Sequence, residues 1–340
     1  MDKVSTIKDV AKLANVSIST VSRVLNGTTP VSKESSDKVY KAVEVLDYKP
    51  NAMARSLISK KTMTIAVIIP NLSNLFFPEL LRGISKAVEK EGYFLIICNT
   101  DYSSEKEEKY INQMLERRVD GFIIVSSSIS NEKLTQMVKG KTSVVFVYSY
   151  ADFGYNIMED GIKATYDATK YLIHMGHKKI ACVGWRFKGV NVRYMGFRKA
   201  LEEFNVDFRN EYVIDCGYSK EEITNNTIKL LKMKDRPTGI VAFNDDTAIA
   251  IMMAAKNMGI NIPEELSIIG YDNISISNIL LKPLTTISVP IHKMGVDAGK
   301  KIIEIIDNGI SYSDTYREKY IPYELIERES VKAMDIDKLN

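Results

Sequence analysis

The chain has 340 residues, 45% hydrophobic and 26% charged, which excludes wholesale disorder and leaves room for two or three packed units. The formal charge is +3, but residues 1–61 hold 11 Lys/Arg against 6 Asp/Glu, while the remainder holds 35 against 37. A positive head on a slightly acidic body suits a polyanionic partner at one end only.

The first ~60 residues read as short helices separated by turn residues, without strand-like alternation. Thr6 with Asp9 forms a capping-box pattern ahead of a helix whose apolar face is Val10, Leu13 and Ala14. Ser17 caps a second helix, with Val21, Val24 and Leu25 apolar and an end at Asn26-Gly27. Ser32 caps a third, carrying Val39, Ala42, Val43 and Leu46 at i, i+3, i+4 and i+7. Helices one and two, joined through Ala14-Asn15-Val16, have helix-turn-helix spacing. The second turns Ile18, Ser19, Ser22 and Arg23 outward, where Arg23 can reach a guanine edge or a phosphate. Ser22 and Thr6 read as phosphate contacts, which position without specifying. A plain three-helix bundle with a solvated polar face fits the same spacing.

From Met63 the texture changes. The runs IAVIIP, FLIICNT, GFIIVSS and SVVFVYS alternate with helices at 78–90, 105–118 and 132–139. KKIACVG, EYVIDCG, TGIVAFN and ELSIIGYDN then alternate with helices at 162–175, 192–204, 220–233 and 247–258. Two such sets predict two α/β lobes, each a doubly wound parallel sheet, linked by short crossings near Asp160, Pro290 and Pro322. The lobes span about 62–160 with 291–322, and 161–290 with 323–335. No stretch approaches a membrane span and no signal-peptide apolar run is present, so a cytoplasmic protein without a membrane partner is expected. Cys98, Cys182 and Cys216 sit in or beside apolar runs and read as buried free thiols of a reducing compartment.

A cleft between two such lobes, where strand C-termini converge, is the default small-molecule site. Its strand-end loops carry Asn71, Ser73, Asn74 and Phe76, then Asn99 and Asp101, then Asp160, Arg193, Asn244, Asp245 and Asp272. Carboxylates, amides and Arg pair with neighbouring hydroxyls, and a ring covers an apolar sugar face. Asn and Asp at strand ends also serve as turn residues and caps: Asp245 suits a cap equally well, Asp101 suits one better, and Phe76 fits a core position. Arg186 and Lys188 would suit a phosphorylated effector, or a solvated loop. His174, His177 and His292 form no metal set, and no nucleophile or phosphate-cradling motif is present, so neither catalysis, metal nor cofactor is expected.

The segment TIKDVAKLANVSISTVSRVLNGTTPVSKES, followed by YKPNAMARSL, resembles the lactose/galactose repressor (LacI/GalR) family almost residue for residue. The resemblance runs on to the ELIERES ending. It implies a transcription repressor of carbohydrate-utilisation genes, bound as a homodimer to double-stranded operator DNA. It also implies lobes like a type I periplasmic binding protein and control by a sugar or sugar phosphate in the cleft. Residues 1–49 become the DNA-binding domain, with Thr6, Ser17, Ile18, Ser19, Thr20, Ser22, Arg23 and Asn26 as contacts and Ile18 and Ser19 selecting bases. That pair departs from the family's usual one, so no operator preference carries over. Residues 50–61 become a hinge whose Asn51, Ala54 and Leu57 enter the minor groove, Leu57 as a wedge. Seven residues of helix are too few to hold alone, which makes this segment a switch. Within the cleft the resemblance favours Arg193 and Asp272, then Asp245, Asp160 and Ser73. Within the family the alternatives are a catabolite-control type with a phosphorylated carrier protein as coregulator, and a purine-responsive repressor. Outside it stand a sugar-binding transport protein and a sugar-modifying enzyme.

Overall fold

The computed structural model describes residues 5–26, 30–49, 61–149, 151–184, 191–217, 219–309 and 316–334. The chain divides into two compact units, Met1–Met63 and Thr64–Asn340. The predicted hinge, with Asn51, Ala54 and Leu57, lies outside the described residues, as does the Arg186/Lys188 loop.

The first unit contains helices α1 (Ile7–Ala14), α2 (Ile18–Asn26) and α3 (Lys33–Val45). Val10, Ala11, Ala14, Val21, Val24, Val39 and Ala42 form its core. Leu13, expected inside, is 52% exposed. The packed stripe of α1 is Ile7, Val10, Ala11 and Ala14 at i, i+3, i+4 and i+7, and Leu13 falls off it. Asn15 ends α1 in the left-handed region (φ 51°), its amide turned back to the carbonyls of Ala11 and Lys12.

The second unit holds two six-stranded sheets. The first contains β1 (Thr64–Ile69), β2 (Phe94–Asn99), β3 (Gly121–Val125), β4 (Ser143–Val147), β5 (Tyr155–Met158) and β11 (Arg317–Tyr320), in the order β11-β5-β4-β3-β1-β2. The second contains β6 (Ile180–Gly184), β7 (Val213–Asp215), β8 (Gly239–Ala242), β9 (Ser267–Asp272), β10 (Thr285–Ser288) and β12 (Glu324–Ile326), in the order β12-β10-β9-β8-β6-β7. Every pairing is parallel except β10 with β12. The central strands β3, β4, β6, β8 and β9 are buried along their whole length, as sheets covered on both faces require.

The covering helices are α4 (Phe76–Val88), α5 (Ser104–Glu116), α6 (Asn131–Val138), α7 (Gly161–His174), α8 (Val192–Glu203), α9 (Lys220–Leu231), α10 (Asp245–Asn257) and α11 (Ile291–Asn308). The chain leaves the first sheet after β5, builds most of the second, returns through α11 to β11, and crosses again to β12. The α4–α11 contact is made by glycine: a Cβ on Gly83 would stand 2.1 Å from the His292 carbonyl oxygen, and one on Gly295 2.1 Å from that of Leu80. Only side-chain-free positions permit that approach. In each sheet the strand order reverses beside the first strand of its set, so the crevices open at the β1/β3 and β6/β8 carboxyl ends.

Cys98, Cys182 and Cys216 are buried free thiols. Burial pushes the thiol of Cys98 up to about 11 and those of Cys182 and Cys216 up to about 12, which leaves them unreactive. Among the described residues no helix is long and apolar enough to cross a membrane.

Candidate functional site

In the head, α2 starts on Ser17, whose hydroxyl accepts from the Thr20 amide at 3.1 Å and touches the hydroxyls of Ser19 and Thr20 at 2.7 and 2.8 Å. Opposite the buried Val21 and Val24, Ile18 (45% exposed), Ser19 and Arg23 face solvent, with Ser22 and Thr20 half-buried. Thr6 is exposed, and both its amide and its hydroxyl donate to Asp9 Oδ2, at 2.9 and 2.7 Å. Asn26 closes α2. A short apolar group, a hydroxyl and a guanidinium on the exposed side of one short helix can engage base edges and phosphates.

In the second unit the two sheets meet around Arg193, at the start of α8. Its Nη1 donates to the Phe243 carbonyl at 2.5 Å, and its Nη2 lies 3.7 Å from Asp272 Oδ1 and 3.9 Å from Glu159 Oε1. The guanidinium also sits over the rings of Tyr271 (3.6 Å) and Phe243 (4.5 Å). The Tyr271 hydroxyl donates to Glu159 Oε1. From the first sheet, Tyr148 follows β4, donates to Met294 Sδ at 3.7 Å, and has its ring 5.7 Å from that of Phe76. Only 14% of the Arg193 side chain and 2% of that of Glu159 are exposed.

This burial sets the electrostatics. Burial pushes the Asp272 carboxyl well above the ordinary carboxylate range, with Arg193 opposing it. The phenols of Tyr148 and Tyr271 are raised by burial and then by the Glu159 charge. Burial alone would lower Arg193, but Tyr271, Asp272 and Glu159 together hold its proton more tightly than usual. Several strand-end residues take left-handed backbone angles, among them Ser126 (φ 48°), Tyr148 (φ 54°), Asp272 (φ 106°) and Asn273 (φ 57°). Such conformations persist only where surrounding contacts hold them.

The other residues expected in the cleft each have contacts of their own. Asn74 is buried, its side-chain oxygen accepting from the Phe76 amide at the start of α4. Phe76 is buried edge-on to Phe77. Ser73 is exposed, its amide donating to Asn71 Oδ1. Asp101 pairs with Lys106 on the surface, and Asp160 caps α7 by accepting from the Lys163 amide at 2.9 Å. Asn244 caps α10, accepting from both the amide and the hydroxyl of Thr247. Asp245 is fully buried: Oδ1 accepts from the Thr286 hydroxyl, and Oδ2 from the Ile274 amide and the Ser277 hydroxyl. Its oxygens fasten β10 and the loop that follows Asp272.

The sequence reading passed over Glu159, Tyr271, Tyr148 and Phe243. All four sit at or just beyond strand carboxyl ends, three of them next to residues already singled out. His177, read as a turn residue, is a buried tie between Thr238 (3.0 Å) and the Lys332 carbonyl (3.2 Å). Among the described residues no cluster of His, Cys, Asp or Glu could hold a metal ion.

Comparison with known proteins follows the same division. Residues 6–51 match the family of bacterial regulatory proteins of lacI type, and residues 62–329 match the periplasmic binding proteins and sugar binding domain of the LacI family. The HTH-type transcriptional repressor PurR of Vibrio vulnificus (strain CMCP6) is 36% identical over 343 residues, spanning 97% of this chain and 100% of that protein. The lac repressor dimer bound to operator and the anti-inducer ONPF has a TM-score of 0.86 at 22% identity, over 97% of this chain and 100% of that one, a likeness of fold. A LacI family transcriptional regulator from Enterococcus faecalis V583, with bound ribose, is 30% identical with a TM-score of 0.70, covering 80% of this chain and 100% of that one. The readings as transport protein and as enzyme fall to these matches: the chain belongs to the lacI family of bacterial regulatory proteins and is a DNA-binding transcriptional repressor.

Proposed function

We propose that residues 1–49 read operator DNA in the cytoplasm through the exposed side of α2. Residues 50–61 act as the hinge, and residues 62–340 bind a small effector and pair with a second copy. Ile18, Ser19 and Arg23 select bases, while Thr6, Ser17, Thr20, Ser22 and Asn26 position the head, with Asn51, Ala54 and Leu57 in the minor groove. The effector lies between the lobes, hydrogen-bonded to Arg193 and Asp272 with Ser73 at the rim. Its binding changes the lobe arrangement and so the folding of the hinge pair; it shifts that equilibrium only by its differential affinity for the two arrangements.

One observation carries this reading: Arg193 is buried against two carboxyl groups where both sheets open. Such a group is expensive to desolvate and adds little to stability, so its place in the fold answers to a ligand. Pairing is supported by apolar exposure on both lobes: Phe94 (74% exposed) and Ile97 on the edge strand β2, and Met253, Ile279 and Leu281 on the other lobe. A carbohydrate effector fits the ribose bound by the Enterococcus faecalis regulator. A purine-responsive repressor is the second reading, favoured by the aromatic walls Phe76, Tyr148, Tyr271 and Phe243 and by full-length likeness to repressors named PurR. A phosphorylated carrier protein as coregulator is tested by pull-down.

The test is Arg193→Ala in the full chain. Operator binding should persist while the response to every effector is lost; a variant that still responds normally removes the cleft from the account.

A further inference from the structure

Buried carboxylates elsewhere in this fold show what a structural one looks like. Asp245 accepts three hydrogen bonds, from Thr286, Ile274 and Ser277. Glu107 accepts two, from the Ser127 hydroxyl at 2.5 Å and the Ser128 amide at 2.7 Å, one on each oxygen. Glu159 is as deeply buried as Glu107, yet only Oε1 has a donor, the Tyr271 hydroxyl. Oε2 is buried with no hydrogen-bond partner, in the cleft. A buried carboxylate oxygen without a donor is costly, and the cost is relieved when a ligand brings one.

The charge around it points the same way. Among the described residues the cleft group contains two carboxyls, Glu159 and Asp272, for one guanidinium, Arg193. Arg193 is already committed to the Phe243 carbonyl, to both carboxyls and to two aromatic rings. A phosphate or carboxylate on the ligand would press a negative charge against Glu159, and would have to draw Arg193 away from both carboxyls. A neutral compound carrying hydroxyl or ring N–H donors meets no such penalty and satisfies Oε2.

We infer that Glu159 makes this repressor selective for an uncharged effector rich in hydrogen-bond donors, a free sugar or a free heterocyclic base, and against the phosphorylated form of the same compound. The inference rests on the cleft being the effector site.

Calorimetric titration of the full chain tests it with two matched sets, D-ribose against D-ribose 5-phosphate and adenine against adenosine 5′-monophosphate. In whichever set binds, the neutral member should bind at least about tenfold tighter, which also separates the sugar source from the base. Glu159→Gln keeps an acceptor for Tyr271 but faces the ligand's donor with an amide, and should weaken the neutral member about tenfold or more. Without ligand, the same variant should melt at the wild-type temperature or above it. Three results overturn the inference: a phosphorylated member that binds tighter and is lost in Arg193→Ala, neutral binding unchanged by Glu159→Gln, or an unliganded variant that melts more than about 3 °C lower. Binding that survives Arg193→Ala is a different failure, since it removes the cleft as the site.

Discussion

In the head, Ile18, Ser19 and Arg23 stand in solvent on a helix whose other side buries Val21 and Val24; in the cleft, Arg193, Glu159 and Asp272 are nearly sealed from water. In the proposed reading these head groups keep their hydration until a duplex replaces it, so their loss changes affinity and little else. The cleft groups give up water when the chain folds. Their substitution therefore touches stability and recognition together, and the site meets its ligand already arranged. In the proposed reading the head can change its operator by surface replacement, whereas the cleft can change its effector only with compensation around it.

The largest expected effect lies on the cleft side. Asp245→Ala strands the Thr286 and Ser277 hydroxyls and the Ile274 amide in a buried site, and should cost about 4 kcal/mol in urea unfolding. A loss below about 1 kcal/mol would mean the loop that follows Asp272 is held by something else.

His177 comes next, because burial lowers its imidazole from 6.5 to about 4. The unfolded chain then takes up the proton first as pH falls. Stability is full above about pH 6.5 and is lost toward pH 4, by about 3 kcal/mol in all. His177→Gln should flatten this loss relative to wild type; parallel curves for the two proteins would show that acid acts elsewhere. In the head the sign of the comparison reverses. Arg23→Ala should weaken operator binding by roughly 1–3 kcal/mol and leave unfolding within about 0.5 kcal/mol of wild type. Smallest is Ser17→Ala, which removes the cap of α2 and should cost the head about 1 kcal/mol, read as an earlier melting of its helices.

The same contrast explains what the sequence made legible. Helix periodicity and caps in residues 5–49 are local signals, and α1, α2 and α3 lie where Thr6, Ser17 and Ser32 place them. The long buried strands were equally plain. Short strands such as β5, β10, β11 and β12 were not, since sequences like REKY and ELI become strands only because a sheet edge pairs with them. The helix α11 buries Ile291, Met294, Ile302 and Ile305 at helical spacing, but the part of its face that meets α4 is Gly295 and Gly299, whose close approach depends on the glycine of α4 and leaves no local apolar signal. Of the group gathered around Arg193, the sequence singles out Arg193 and Asp272 but not Glu159, whose neighbour Asp160 caps a helix. One residue decides which side chain caps a helix and which turns inward, and nothing local distinguishes them.

The most direct measurement of the central claim, that α2 reads base edges, is selection of duplexes from a random library by the full chain. The account predicts enrichment of a two-fold-symmetric site whose half-sites change when Ile18 and Ser19 are both replaced by alanine. Enrichment of no sequence, or of the same sequence by that double variant, would contradict it.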